Sequence, residues 1–507
     1  MFNIFIASFL STIILFSFGS FFQKLFLKED NNNLKLFETG FFGCIFLGFI
    51  GLIVNFFLPL NKFVGDIILI FSIIYFIFIF QKNKSQISIL VIVVTLFSII
   101  LVYASNINRP DAGLYHIPFI SILHENKIIL GLTNLHHRFG HISIMQYISG
   151  IYHSHFFKIE FFVLPLASIF GFFFYYLIQY FLKNYNTYDL KKIFTFIISI
   201  FSFYSFNRYS NYGNDAPAHM FFFLIFIYFI NINNFKQISM IDFFKISIFS
   251  IFCLLNKNFM ILTLIIPIVF LVAIMKKISF KNILLDKKII FCIVFIISWA
   301  LKNILISGCI VYPLSNSCFN SLKYTNTEET KLVAIEGESW AKDIVNYKNS
   351  ELNNEKYINN FNWIDTWRKN HFLIITEKFS PLIIFLIIYL ILTIGFNKIK
   401  LIKKRKKKIN KTNVLICIIT STFVLIWFVK FPLYRFGMSF LAISLISFFC
   451  IIIDVFNNKQ TNRFINNMNV FFLSFAVLGF LGKNIHRINN FDINYNNYPW
   501  PKIYTLS

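Results

Sequence analysis

The sequence predicts an all-α, polytopic transmembrane helix bundle, and three observations predict it. Hydrophobic residues make up 57% of the 507-residue chain and charged residues only 14%, a balance typical of membrane proteins and not of soluble globular ones. The apolar residues are gathered in runs long enough to cross a bilayer. The basic residues behind the formal net charge of +25 lie in short segments between those runs, which favours positive-inside loops over nucleic acid as a partner.

Fourteen apolar runs are candidate membrane spans. A spanning helix needs about 20 apolar residues, and somewhat fewer when polar side chains at its ends reach the interface. The first run has no basic segment before it and no clear small-residue cleavage site, so we expect a retained transmembrane helix and not a signal peptide. The runs are 2–22, 41–60, 67–80, 87–104, 161–182, 193–206, 217–230, 243–255, 259–275, 289–306, 379–396, 414–429, 436–456 and 470–481.

The distribution of basic residues predicts the orientation of these spans. Residues 398–411 form the densest basic run and are expected on the cytoplasmic side. Counting outward from that run also places the basic segment 275–288 inside. The same count predicts that both termini and three polar segments lie outside: 106–160, 207–216 and 307–378.

The long polar segments divide the chain into six parts. The third outer segment combines acidic and Asn-rich sequence with Trp340, Trp363 and Trp367, which favours a small folded cap over a disordered linker. The predicted parts are N-terminal transmembrane helices (1–104), a first outer loop with interfacial helices (105–160), central transmembrane helices (161–306), an outer loop or cap (307–378), C-terminal transmembrane helices (379–482) and an outer tail (483–507).

The first outer loop carries the densest group of ionisable side chains, because seven of the ten histidines lie within residues 116–155. Asp111 follows a span closely, so we expect its carboxylate at the outer membrane boundary near Tyr115 and His116. A partly desolvated carboxylate there could act as a general base near neutral pH. The alternative is that Asp111 caps the interfacial helix predicted at 115–124, since Asp is a favoured N-cap.

A second acid, Asp215, lies in the next outer segment. Pro217 follows it, so an ordinary helix cap with Pro in the first turn explains Asp215 as well as a functional role does. Capping does not explain His219, which lies four residues on and therefore on the same helix face, pointing back toward the carboxylate. The alternative for His219 is a satisfied polar side chain buried in an apolar helix.

Positive charges at the outer ends of spans run against the positive-inside trend and predict an anionic ligand. Arg138, Arg208 and Arg435 are the candidates, because the planar guanidinium group can bind two oxygens of a phosphate at once. Lys302 and Lys430 also lie at outer ends. Snorkelling of their long side chains to lipid headgroups is the alternative for these two.

The histidine-rich loop also has to be weighed as a metal site. His136, His137 and His141 could place two imidazoles on one helical face, but no ligand pattern of diagnostic spacing completes a transition-metal site. A divalent ion held by Asp111 and Asp215 stays open as a cofactor.

Two of the seven cysteines share a loop. Cys309 and Cys318 are nine residues apart in a segment predicted to face an oxidising space, where a disulfide is chemically allowed. Two free thiols are the alternative.

Five segments carry a resemblance to a known class: DAGLYHIPFI, GLTNLHHRFG, NDAPAH, SGCIVYP and YRFG. Together with an acid after a span, a long first outer loop, a second outer acid and a late outer basic residue, they resemble the GT-C class of integral-membrane glycosyltransferases, and within it a group of bacterial inner-membrane proteins. The resemblance covers about residues 87–456. It implies an enzyme of the bacterial inner membrane that takes a sugar from a polyprenyl-phosphate donor and transfers it to a glycan or lipid acceptor on the outer face.

Carried over to this sequence, the resemblance implies that Asp111 is the catalytic base or an acceptor-positioning carboxylate. Asp215 would assist it or hold a metal ion, and Arg435 or Arg138 would contact the lipid phosphate. The remaining candidates are His116 for catalysis, Arg208 for phosphate binding, and Tyr115, His219 and His137 in support. The chain departs from the class in having about three spans before the helix that leads to Asp111. It also lacks a large soluble C-terminal domain, which leaves acceptor recognition to residues 307–378.

Two other functions remain open from the sequence. A polymerase of lipid-linked polysaccharide repeats also works on the outer face, but resemblance would have it rely on Arg-rich outer loops and not on two loop acids. A transporter or flippase of lipid-linked sugars would place ionisable residues at the midplane of broken helices, whereas here the acids lie in outer loops. A purely structural membrane protein gives no reason for the outer His, Asp and Arg residues.

Overall fold

The computed structural model describes residues 2–27, 35–105, 111–183, 189–206, 215–232, 238–347, 353–398, 410–456, 462–496 and 498–502. Within these ranges the chain is an all-α bundle without a β-strand, and Cys309 and Cys318 pair in an isolated bridge. The predicted fold class is therefore confirmed.

The described residues form twenty α-helices, joined by short 3₁₀ and π turns. They are α1 (Phe2–Phe26), α2 (Thr39–Phe57), α3 (Lys62–Phe80), α4 (Lys84–Val102), α5 (Ile117–Glu125), α6 (Ile144–Ile151), α7 (Leu164–Lys183), α8 (Leu190–Ser205), α9 (Asp215–Asn231), α10 (Met240–Asn256), α11 (Ile265–Ile274), α12 (Phe280–Leu284), α13 (Lys287–Ser307), α14 (Thr327–Ala341), α15 (Asn354–Ile358), α16 (Ile364–Trp367), α17 (Leu373–Lys398), α18 (Lys411–Lys430), α19 (Tyr434–Phe456) and α20 (Asn462–Asn489).

Among the described residues, ten stretches of helix are long and apolar enough to cross a bilayer, so the chain is a multi-pass membrane protein. All fourteen predicted runs fall on helices. Four of those helices are shorter than a full span: α8, α9, α10 and the helical stretch Asn258–Ile274. A 17-residue helix extends only about 25 Å against about 30 Å of hydrocarbon. The side chains of α9 are almost all buried, so protein and not lipid surrounds this short helix.

Close helix packing at the N-terminal end depends on two glycines. A Cβ atom on Gly19 of α1 would lie 1.7 Å from the carbonyl oxygen of Thr39, and one on Gly43 of α2 would lie 1.9 Å from that of Leu15. Only a residue without a side chain allows the two backbones to approach this closely, as at other small-residue contacts between membrane helices. We therefore expect substitution of either glycine by a residue with a larger side chain to push α1 and α2 apart.

One ion pair is deeply buried between helices. The Lys245 amino group of α10 lies 3.0 Å from the Glu38 carboxylate just before α2, and the two side chains are 2% and 0% exposed. An ion pair out of contact with water is stable only when both partners are present. It therefore fixes α10 against the start of α2.

Residues 308–347 and 353–372 fold mainly into short helices at one end of the bundle. Cys309 and Cys318 form a disulfide at the start of this segment. Further on, Tyr357, Trp363 and Trp367 make a small hydrophobic core of their own. The indole nitrogen of Trp367 donates to the carbonyl of Pro432, at 2.6 Å. This bond joins the segment, called the cap below, to the turn between α18 and α19.

The first outer loop packs onto the same end of the bundle. A π turn, Ala112–His116, leads into α5, with Pro118 in the first turn. Phe119, Ile120 and Leu123 of α5 are buried. Ile117 is only half-buried.

Candidate functional site

Five charged side chains meet at the end of the bundle that carries the cap. They come from the first loop, from the start of α9, from the turn after α10 and from the first turn of α19. We call them the charge cluster: Asp111, Arg138, Asp215, Lys257 and Arg435.

The end of α4, which precedes Asp111 in the chain, is fixed by contacts with the C-terminal part of the chain. Arg487 of α20 donates to the carbonyl oxygens of Ile100 and Tyr103, at 2.7 Å and 2.6 Å. These oxygens belong to the last turn of α4, which leaves its carbonyls without helical partners. The backbone of Ala104 also donates to the carbonyl of Pro499, at 2.8 Å. The chain is thus fixed shortly before the loop that leads to Asp111.

The Asp111 carboxylate pairs with two arginines. Arg138 Nη1 donates to Oδ1 at 2.8 Å, and Arg435 Nη1 lies 3.7 Å from Oδ2. Asp111 precedes the π turn, but its side chain makes no capping hydrogen bond there. The helix-cap alternative for Asp111 is therefore wrong, and the carboxylate is available to the charge cluster.

Asp215 is the first residue of α9 and shares Arg435 with Asp111. Lys257 Nζ lies 2.6 Å from Asp215 Oδ1, and Arg435 Nε lies 3.8 Å from Asp215 Oδ2. The Arg435 guanidinium is thus placed between the two carboxylates. Two acids that are more than a hundred residues apart become neighbours through one arginine.

Arg435 is positioned by a tightly anchored turn. Trp427 Nε1 donates to the carbonyl of Leu433 at 2.9 Å. His219 binds the Ser439 hydroxyl through Nδ1, at 2.8 Å, and the carbonyl oxygen of Arg435 through Nε2, at 2.7 Å. Both imidazole nitrogens of His219 are therefore used by α19 and not by the Asp215 carboxylate. His219 supports the cluster by fixing the backbone of Arg435.

Arg138 lies in a 3₁₀ turn, His137–His141, that is fixed to the outer end of α13. Gly131 adopts a left-handed conformation with φ +64°, and its amide donates to the carbonyl of Leu305 at 2.9 Å. Glycine tolerates this backbone conformation without strain. Thr133 adds a hydroxyl bond to the carbonyl of Ile306 at 3.2 Å. The His136 ring accepts from the Arg138 amide at 3.1 Å.

The cluster carries an excess of positive charge and is open. Three cations face two carboxylates, a net charge of +1 when all five are ionised. The exposed fractions of the five side chains lie between 27% and 43%. A group with negative charge can therefore reach the cations, and it would meet a site that its charge favours.

Aromatic rings form the walls of the cluster. The Arg138 guanidinium carbon lies 5.6 Å from the centre of the Tyr115 ring. Lys257 and Arg435 lie 5.1 Å and 5.0 Å from the Phe436 ring. Burial raises the pKa of Tyr115, and the negative charges of Asp111 and Asp215 add to the shift. Tyr115 thus presents a neutral phenol beside the two carboxylates.

His116 lies behind the cluster. It is 4% exposed, and its ring centre is 4.1 Å from that of Tyr115. Burial lowers the pKa of His116 to about 3, and the charge of Lys257 contributes to the shift. The imidazole is therefore neutral at physiological pH, and its burial makes it a support for the cluster and not a group that meets a substrate.

The remaining histidines do not form a metal site within the described residues, where no group of three or more His, Cys, Asp or Glu side chains could hold an ion. His136 and His137 lie side by side, with ring centres 4.9 Å apart, while His141 packs against Tyr312. Asp111 and Asp215, the predicted ligands of a divalent ion, both face cations. Arg208 lies outside the described residues.

Lys302 and Lys430, for which contact with lipid headgroups was the alternative, both make contacts within the protein. Lys302 is 1% exposed, and its amino group lies 3.4 Å from the centre of the Trp299 ring. Lys430 lies 3.3 Å from the carboxylate of Glu338 in the cap. Lys302 is thus held inside the protein and does not reach a lipid headgroup, whereas Lys430 is 57% exposed and pairs with the cap.

Sequence reasoning missed Lys257. It lies in the short connection between two predicted spans, 243–255 and 259–275, on the side predicted to be outer. A positive charge there runs against the positive-inside trend, and this signal could have found it. The pairing with Asp215 has no signal in the sequence.

The comparisons with known proteins identify a family but no activity. A family profile described as a domain of unknown function (DUF8201) matches residues 1–442. Comparisons with curated proteins and with solved structures found no match.

Proposed function

Since the chain belongs to the DUF8201 family, a domain family of unknown function, we propose from the site itself that it is a GT-C-type membrane glycosyltransferase. It transfers a sugar from a polyprenyl-phosphate donor to a cell-envelope glycan or lipid acceptor on the outer face of a bacterial inner membrane. The observation that carries the proposal is the position of Arg435 between the carboxylates of Asp111 and Asp215.

The charges of the cluster fit a lipid-phosphate donor. The leaving group is a phosphate on a lipid, so the site needs cations at the end of an apolar bundle, where the lipid can enter from the bilayer. Arg138, Lys257 and Arg435 supply three cations there. Fixed cations stabilise the negative charge that grows on the phosphate as the sugar departs.

The two carboxylates fit the activation of an acceptor hydroxyl. Asp111 accepts the proton from the acceptor O–H, the new bond forms between that oxygen and the anomeric carbon, and the bond from this carbon to the phosphate oxygen breaks. The electron pair leaves with the lipid phosphate. Asp215 keeps Lys257 and Arg435 in place, since it contacts both.

The ion pairs also suggest how the base is controlled. Arg138, at 2.8 Å from Oδ1, and Arg435, at 3.7 Å from Oδ2, both hold the Asp111 carboxylate. A donor phosphate competes for Arg138 and Arg435 and so loosens their hold on Asp111. Binding of the donor therefore frees the Asp111 carboxylate for the acceptor hydroxyl.

The alternative functions use the charges differently. A flippase of lipid-linked sugars is less well supported, because the five charged groups lie at one end of the bundle and not at the middle of broken helices. A polymerase of lipid-linked repeats would also use the three cations. It differs in its acceptor, which would itself be a lipid-linked saccharide.

The test is transfer of labelled sugar from polyprenyl-phosphate donors in reconstituted liposomes, with wild type and Asp111→Asn side by side. We expect transfer by wild type and a loss of 100-fold or more, on the order of a general base's contribution, in Asp111→Asn. Asp492→Asn is the matched control, because Asp492 also pairs with a lysine, at 3.3 Å from Lys502, but lies in the outer tail.

Each outcome separates the candidate functions. Full transfer by a folded Asp111→Asn protein would remove Asp111 from the chemistry. Movement of labelled lipid-linked sugar across the liposome membrane without transfer would favour the flippase. Products that grow by whole repeats would favour the polymerase.

A further inference from the structure

We propose that Trp340 and Glu336 of the cap helix α14 form a saccharide subsite that holds the acceptor beside the charge cluster. This inference rests on the proposed glycosyltransferase function and names the part of the chain that recognises the acceptor. It assigns the indole of Trp340 to the apolar face of a sugar ring and the carboxylate of Glu336 to its hydroxyl groups.

Trp340 differs from the other tryptophans in its exposure. The chain has six, all among the described residues. Trp299, Trp363, Trp367 and Trp427 are buried, and Trp500 is half-buried, whereas Trp340 is 47% exposed. A large exposed indole in a folded cap is unfavourable in water, which points to a ligand that covers it.

The exposed indole lies directly beside the charge cluster. The Arg435 guanidinium carbon is 5.2 Å from the centre of the Trp340 ring, and the same guanidinium lies between Asp111 and Asp215. A cation over an aromatic face fixes the two groups relative to each other. A sugar stacked on the exposed part of the indole is thus within reach of the carboxylates.

Glu336 adds a hydrogen-bond acceptor on the same face of α14. It lies four residues before Trp340, so the two side chains are neighbours on the helix surface. Glu336 is exposed, and its carboxylate makes no hydrogen bond or ion pair with the described residues. Burial lowers the pKa of His137, and the charge of Glu336 opposes that shift. The exposed Glu336 carboxylate thus lies beside the exposed Trp340 indole on the surface of α14.

The opposite side of α14 holds the helix in place. The Glu338 carboxylate binds Lys342 at 2.6 Å and Lys430 at 3.3 Å. Asn326 caps the first turn by accepting from the Glu329 amide at 3.0 Å. Trp340 and Glu336 are thus presented on a fixed helix, and a preorganised surface loses little entropy when a ligand binds.

The chemistry of this surface matches a saccharide. A pyranose has an apolar face of C–H groups and a rim of hydroxyls, and a site that combines one aromatic face with a few polar groups suits such a ligand. The donor lipid comes from the bilayer. The cap comes from the polar segment beyond the membrane, so its subsite takes the acceptor.

The first experiment measures binding directly on the whole protein in nanodiscs. Methyl glycosides and disaccharides of glucose, galactose, mannose and N-acetylglucosamine are titrated while tryptophan emission and its quenching by iodide are recorded. The signal of Trp340 is the difference between wild type and Trp340→Phe. We expect a saccharide of the panel to shift this emission and protect it from iodide, and we expect Glu336→Gln to weaken that binding several-fold. Absence of any effect across the panel overturns the subsite.

The second experiment uses the transfer assay to separate the two proposals. Trp340→Leu should raise the acceptor KM roughly tenfold, as for the loss of a central aromatic contact, with a much smaller change in the donor KM. Lys331→Ala is the control, because Lys331 lies nine residues before Trp340, on the opposite face of α14, and is also exposed. An equal rise in both KM values would mean that Trp340 acts only by orienting Arg435, and would overturn the subsite.

The outcomes also separate this inference from the proposed function. Saccharide binding that depends on Trp340 without any sugar transfer would keep the subsite and reject the transferase. Transfer by wild type with an unchanged acceptor KM in Trp340→Leu would keep the transferase and reject the subsite.

Discussion

Two of the ionic groups among the described residues are of opposite design. The Glu38–Lys245 pair joins one acid to one base at 3.0 Å, with both side chains almost fully buried. The charge cluster joins two acids to three bases at distances from 2.6 to 3.8 Å, with all five side chains partly exposed. A closed, matched pair stabilises helix packing, whereas an open group with unmatched charge is suited to a ligand.

Energetics explain why the two groups differ. An ion pair inside the protein keeps its charges only if each has its partner, since an uncompensated buried charge is costly. Partly exposed charges are solvated in either state and can change partners at little cost. The first arrangement therefore resists change, and the second permits exchange with a substrate.

The largest effect on stability is expected at the buried pair. Glu38→Gln leaves the Lys245 charge buried without its carboxylate and should lower the free energy of unfolding by about 3–5 kcal/mol. Asp111→Asn, in the open cluster, should lower it by less than about 1 kcal/mol. Thermal unfolding in detergent measures both. Equal losses in the two variants would contradict the division into a structural pair and a functional cluster.

The next effect concerns catalysis. Arg435→Lys keeps the charge but loses the planar group that contacts both carboxylates, and we expect transfer to fall about 100-fold, as when one fixed donor to a developing charge is lost. Lys430→Arg, at the last residue of α18, is the control. If Arg435→Lys transfers sugar at the wild-type rate, contact with both acids is not required.

The third prediction is a pH effect on stability. His116 has a pKa of about 3 in the folded chain because of its burial, against about 6.5 when unfolded. The unfolded chain therefore takes up a proton below pH 6.5 that the folded chain excludes. The free energy of unfolding consequently decreases as the pH is lowered.

Between pH 7 and pH 5 the expected loss from His116 is about 2 kcal/mol. Comparison of unfolding temperatures for wild type and His116→Gln at both pH values measures this contribution. The same pH dependence in the two proteins would remove His116 as its source.

The smallest effect tests whether the cluster binds an anion. Undecaprenyl phosphate at ten times its Kd should stabilise the folded protein by about 1.4 kcal/mol, by linkage. Arg435→Lys should reduce this gain, while a neutral polyprenol should give none in either protein. If the neutral polyprenol stabilises the protein as much as the phosphate does, the protein binds only the hydrocarbon part of the lipid and not its phosphate.

The sequence predicted individual helices better than their lengths. Residues 217–230 and 259–275 were predicted as spans because they are apolar, yet the structure gives short helices there. An apolar run is equally compatible with lipid and with a protein interior. The helix α9 lies in the protein interior, because neighbouring helices bury it almost entirely.

Four of the five residues of the charge cluster were predicted as candidates, but their contacts were not. Asp111, Asp215, Arg138 and Arg435 were singled out because charge is unusual at the outer ends of apolar helices, and the structure brings all four together. His219 was expected to face Asp215 but binds α19. Helix periodicity gives the face of a residue, whereas the neighbour on that face depends on packing.

The sequence by itself determined that the chain is a helical membrane protein, because a bilayer requires each crossing segment to be apolar and to satisfy its own backbone hydrogen bonds. That requirement applies to each segment by itself, so the composition of each segment is enough to predict a transmembrane helix. Only the tertiary structure decided that Lys257 joins Asp215, that Arg435 lies between two acids, and that Trp340 lies over Arg435. These contacts join residues far apart in the chain, and they arise from helix packing that no single segment encodes.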